Sequence, residues 1–147
     1  MPSLSNFHAL RAASLTVSAA TIVVSLAVVP AGASPLKCDG VDTQLTKERR
    51  AEYTGLVAQA LEMKPKVANV EIDKFMQSGA WSAVYASTAV SDDGVLFFET
   101  VGGKKQFKDV WGGIADPSER KELIDWAKDL GSPENLAKCF AHMIVDN

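Results

Sequence analysis

Histidine is nearly absent from this chain, with two residues in 147, and cysteine is equally sparse at two. One of the histidines, His8, lies in the N-terminal segment, which leaves His142 alone in the rest and excludes a multi-histidine metal centre. No block of Lys or Arg occurs, and 15 basic side chains face 18 acidic ones for a formal net charge of −3. Phosphate-backbone binding therefore lacks its electrostatic footprint, which argues against a nucleic-acid partner. Neither common glycine-rich phosphate motif is present, and no serine sits in a nucleophile elbow. What is there is ordinary for a globular domain: 47% hydrophobic and 22% charged residues, in a length suited to one domain.

Residues 1–33 differ in kind from the rest. They hold no Asp or Glu and a single basic residue, Arg11, followed by the apolar run Leu15–Val29, then Pro30 and Ala31-Gly32-Ala33. A positive start, a hydrophobic centre and a small-residue cleavage site make a secretory signal peptide, with cleavage expected after Ala33. The competing reading is an uncleaved anchor, since residues 12–36 are uncharged. Against it, the run is about 15 residues, diluted by Ser and Thr, where a spanning helix needs about 20. Leu36-Lys37 ahead of Cys38 is not the small-apolar setting of lipid attachment. The sequence thus predicts one small exported domain over 34–147, periplasmic or secreted, with no membrane association after cleavage.

Cys38 and Cys139 both lie in that domain. In an oxidising compartment an even pair is usually a disulfide. Closing so long a loop is worth up to ~4–5 kcal/mol in the chain-entropy model. The competing chemistry is Cys139 with His142, three residues apart on one helical face, as nucleophile and base or as part of a metal site. A bridged sulfur can do neither.

Thr46 can cap a helix whose apolar positions Tyr53, Leu56, Val57, Ala60 and Leu61 form one stripe, ended by Lys64-Pro65-Lys66. Residues 67–78 are ambiguous: Val70 and Ile72 alternate like a strand, whereas Ile72, Phe75 and Met76 space like a helical turn. Three strands follow, Trp81–Thr88, Val95–Val101 and Lys104–Val110, with Gly102-Gly103 as a two-residue hairpin loop. That loop sets Phe98 opposite Phe107 and Val95 opposite Val110. The run Val95 to Phe98 is apolar on both faces, so either helices and a further segment cover the sheet or a partner does. Asp116-Pro117-Ser118-Glu119 is a capping box, Leu123, Ile124, Ala127 and Leu130 are a buried stripe with Trp126 at its edge, and Gly131 is a stop. Ser132-Pro133-Glu134 then repeats a start signal before Leu136, Phe140 and Met143. The expected fold is α+β: an N-terminal helix, a three-stranded antiparallel meander, a C-terminal αα-hairpin and one disulfide.

The chemistry-bearing candidates are few. Trp111-Gly112-Gly113 suits an exposed aromatic anchor on a loop, and equally a core Trp beside a tight turn. Asp109 and Asp116 flank the glycines and are the carboxylates a small hydrolase would need. Asp92-Asp93-Gly94 reads as a turn. Lys104 and Lys105 either keep the hairpin tip soluble or meet an acidic partner. No cofactor or metal motif appears. These features point to a binding protein, such as an inhibitor, immunity or accessory protein acting on an envelope partner, with Trp111, Gly112, Gly113, Asp109, Lys104 and Lys105 as contacts. The alternatives are a hydrolase using Asp109 and Asp116, and a Cys139–His142 thiol or metal protein.

Overall fold

The computed structural model describes residues 38–146. The signal-peptide and cleavage assignments at 1–33 lie outside the described residues. The elements run α1 (Lys47–Ala60), β1 (Val70–Ser78), β2 (Trp81–Thr88), β3 (Gly94–Val101), β4 (Lys104–Gly112), α2 (Arg120–Asp129) and α3 (Glu134–Val145). The strands form one antiparallel sheet in the order β1-β2-β3-β4. The α+β class and the helix order match expectation, while the meander has four strands where three were expected. The fourth is the ambiguous 67–78 segment, a short 3₁₀ turn followed by β1.

A β-bulge explains why β1 hid. The register against β2 shifts between Ile72 and Lys74, leaving Asp73 as the extra residue. Val70, Ile72 and Phe75 therefore share one core while Met76 joins the other. That spacing imitates a helical turn, although each residue is extended.

Helices cover both faces, which accounts for the unbroken apolar run. On one face Ile72, Phe75, Val84, Leu96 and Phe98 pack with Tyr53 and Val57 of α1. On the other, Met76, Trp81, Ala83, Val95 and Phe97 pack with Leu123 and Ala127 of α2 and Leu136 and Phe140 of α3. Alternate β3 residues thus enter opposite cores, and Val95 through Phe98 are all buried. On the α1 face the Tyr53 hydroxyl donates to Ser82 Oγ at 2.6 Å, so both buried hydroxyls are satisfied. The Tyr53 ring meets Phe75 and Phe98 edge-on at 5.4 and 5.5 Å.

The helix ends follow local chemistry. Thr46 Oγ1 accepts from Arg49 N at 3.2 Å to cap α1. Asp116 Oδ1 accepts from Ser118 N at 2.9 Å, and Glu119 Oε2 accepts from Asp116 N at 2.6 Å, which completes the capping box before α2. The second start signal works differently. Pro133 stands at the N-cap of α3 without a side-chain cap, and Ser132 is buried, its Oγ without a hydrogen-bond partner among the described residues. Asn135 supplies the local bonds instead. Its Oδ1 accepts from Leu136 N and Ser78 Oγ, and its Nδ2 donates to Gly40 O at 3.0 Å.

Cys38 and Cys139 form the expected disulfide, with Cα atoms 4.9 Å apart across a sequence separation of 101. The segment after Cys38 is further tied to the edge of β1, where Asp42 and Gln77 exchange backbone bonds of 2.9 and 2.8 Å. Among the described residues no helix is long and apolar enough to cross a membrane.

Gly102 and Gly103 turn the β3–β4 hairpin with φ of +57° and +78°, and Phe98 does lie opposite Phe107. The expected Val95–Val110 pairing is corrected: Val95 faces Trp111, and Val110 faces Leu96. A second bulge causes the shift, because β4 advances from Phe107 to Asp109 while β3 steps from Phe98 to Phe97, leaving Lys108 unmatched. In an uninterrupted ladder Trp111 would lie opposite Gly94 and point to the α1 face. With the bulge it points at α3.

Candidate functional site

The loop leaving β4 is pinned at both ends. At its start the Trp111 ring meets Phe140 edge-on at 5.7 Å and is half-buried against the helical core. At its end the capping box fixes Asp116. Gly94 lets β3 come close, since a Cβ there would lie 2.9 Å from the Trp111 carbonyl oxygen. Gly113 adopts φ +122°, in the region that favours glycine. Between these fixed points Ile114 is held clear of the protein, 100% exposed.

Three clefts meet at Ile114. One of about 310 Å³ runs towards α2, walled by Trp111, Gly112, Trp126 and Leu123, with Glu119 and Glu122 at its edge. A second of about 370 Å³ runs past Gly113 to Tyr85 and Met143, with Asp73 and Lys74. A third of about 560 Å³ lies between Gly113 and the β2–β3 turn at Ser91, Asp92 and Asp93. The Tyr85 hydroxyl donates to Asp93 Oδ2 at 3.3 Å. Burial, then the negative charge of Asp93, raises the Tyr85 phenol above its ordinary pKa.

The expected contacts divide between two places. Trp111, Gly112 and Gly113 line the clefts. Lys104 and Lys105 stand at the opposite end of β4, about 20 Å away at the usual rise per strand residue. Lys105 Nζ pairs with Glu52 of α1 at 2.7 Å and sits 5.5 Å from the Tyr53 ring centre, so it also helps to seat that helix. Asp109, half-buried opposite Phe97, accepts from Val110 N at 2.8 Å. Asp116 is committed to its cap, and the Ser118 N–H and hydroxyl hold its carboxyl below the usual range. A general acid needs the opposite shift.

Cys139 is bonded to Cys38, so its sulfur offers neither a nucleophile nor a ligand while the bridge stands. His142 Nδ1 pairs with Asp146, which Arg120 also holds through 2.8 and 2.9 Å bonds. That cluster ties the end of α3 to the start of α2. Among the described residues no group of three or more His, Cys, Asp or Glu side chains is placed to hold a metal ion.

The residues that sequence reasoning missed are Ile114, Trp126, Glu119 and Glu122, together with the service of Asp92 and Asp93 as one wall. A signal existed for Ile114. It is an aliphatic residue caught between two glycines and an N-cap aspartate, with no element of its own to bury it. No protein-family model, curated protein or solved structure matches this chain.

Proposed function

We propose that this chain is a small exported protein, stapled by Cys38–Cys139, that works by holding a protein partner in the cell envelope or outside the cell. Inhibitor, immunity or accessory roles fit such a build. The observation that carries the reading is Ile114, a fully exposed aliphatic side chain on a loop anchored at both ends, with clefts on either side. A single exposed apolar residue is common on protein surfaces. One presented beside a half-buried Trp is a better candidate for an interface anchor, because its burial would contribute ~1.5–3 kcal/mol to association. The rigid ends reduce the ordering cost that a flexible loop would add on binding.

Two further facts favour binding over catalysis. Asp116 is held in its charged form by its cap, and Cys139 is bridged. Export and the disulfide are checked by intact mass before and after reduction under thiol alkylation. A mass starting at Ser34 that takes two labels only after reduction supports both. Binding is checked by placing a photo-crosslinking residue at 114, and separately at exposed Met63 as control, in cells that make the protein. The expected result is a discrete adduct from position 114 alone. Equal or absent adducts at the two positions would remove the loop as the binding edge.

A further inference from the structure

The carboxylates around Ile114 form a pattern of their own. Asp73, Asp92, Asp93, Glu119 and Glu122 line the three clefts, and Lys74 is the one cation among the lining residues. The salt bridges of the described residues use other acids: Asp42, Glu52, Glu99, Asp125, Glu134 and Asp146. Of the cleft carboxylates, Asp93 accepts from a neutral phenol and Glu119 from a neutral backbone amide. None of the five cleft carboxylates forms a salt bridge within the described residues, so a partner can meet them.

Building on the binding reading above, we infer that the partner presents a cationic segment to this surface. An apolar side chain of that segment packs on Ile114 and Trp111. Its flanking Lys or Arg side chains meet Asp92 and Asp93 on one side and Glu119 and Glu122 on the other. Charge complementarity selects this occupant. An acidic or neutral segment would leave the carboxylates facing like charge or without a partner. Trp111 and Trp126, which line the α2 cleft, offer indoles to which a cation is attracted. The carboxylates also set up a field that draws a basic partner before contact, over about one Debye length, ~10 Å at moderate salt.

The test uses two blocked hexapeptides, Lys-Leu-Lys-Phe-Lys-Leu and the same sequence with Glu in place of Lys, titrated into the disulfide-bonded protein. The Ile114 methyl and Trp111 indole signals are followed by NMR. The basic peptide is expected to shift both and to bind at least about tenfold tighter than the acidic one. Its affinity should fall several-fold as salt rises from about 50 to about 500 mM. Combining Asp92→Asn, Asp93→Asn and Glu122→Gln is expected to weaken the basic peptide about tenfold, with the thermal midpoint nearly unchanged because none of these groups forms an internal ion pair. Equal binding of the two peptides, no shift at Ile114 at millimolar basic peptide, or an unchanged affinity in the triple variant would overturn the inference. If the adduct from position 114 persists in that event, the binding edge stands and only its cationic preference falls. If the adduct is also lost, both fall.

Discussion

Deleting a residue from the middle of a β-strand ordinarily turns every later side chain to the wrong face. At Lys108 the opposite is expected. Lys108 is the unmatched residue of the β4 bulge, so its removal joins Phe107 directly to Asp109 and leaves Phe98–Phe107, Phe97–Asp109, Leu96–Val110 and Val95–Trp111 paired as before. The losses are its 2.9 Å bond to Glu99 and its position 5.5 Å from the Trp81 ring centre. An exposed ion pair contributes ~0–1 kcal/mol and an exposed cation–π contact ~0.5–1 kcal/mol. The total cost should stay below ~2 kcal/mol. In a continuous ladder the same deletion would rotate Val110 and Trp111 across the sheet. Re-siting an indole that buries ~150 Å² at ~25 cal/mol/Å² costs ~4 kcal/mol, before the loss of ring stacking. Urea unfolding separates the two cases. With a slope of ~1–2 kcal/mol/M, the bulged register predicts a midpoint shift below ~1–2 M, and the continuous one a shift of ~2–4 M. A nuclear Overhauser contact between the Trp111 indole and the Phe140 ring should survive the deletion. A shift above ~2 M, or loss of that contact, would refute the assignment of Lys108 as the bulge.

The disulfide closes a loop across a sequence separation of 101. The Cys38→Ala/Cys139→Ala variant should therefore lose up to ~4–5 kcal/mol, read as a lower urea midpoint, and a change under ~1 kcal/mol would contradict the entropic account. Ser82→Ala leaves the buried Tyr53 hydroxyl without its acceptor and should cost ~1–3 kcal/mol, most of it recovered when Tyr53→Phe is added; an unrecovered loss would argue against the bond. Burial pushes the Tyr53 phenol from 10.0 up to about 12. Between those values the unfolded chain loses the proton that the folded state keeps, so stability is complete below pH 10 and declines as pH rises towards 12. Ultraviolet titration should show both tyrosines ionising above 10, with Tyr53 near 12, and ionisation of Tyr53 near 10 would contradict it.

Local signals were legible wherever a short stretch of chain satisfies its own backbone. The Thr46 cap, the Asp116 capping box and the Gly102-Gly103 turn formed as read, because each depends on residues within three or four positions. The disulfide was legible too, since an even pair admits one pairing within the chain. Ser132 shows the boundary. Its position suggested a cap, but packing buried it and passed the local bonds to Asn135, which also reaches Ser78 and Gly40.

Sequence alone determined the class of fold, the caps at Thr46 and Asp116, the hairpin and the pairing of the cysteines, because each is local chemistry or simple counting. Tertiary structure decided the rest. Bulges at Asp73 and Lys108 reset which residues share a face, and period-two reasoning cannot see an extra residue that pairs with nothing. The two helical layers decided that the apolar run of β3 is core. The anchored loop decided that Ile114 stands in solvent among carboxylates brought together from β1, the β2–β3 turn and the start of α2. Those residues are distant in sequence, and only the folded sheet makes them neighbours.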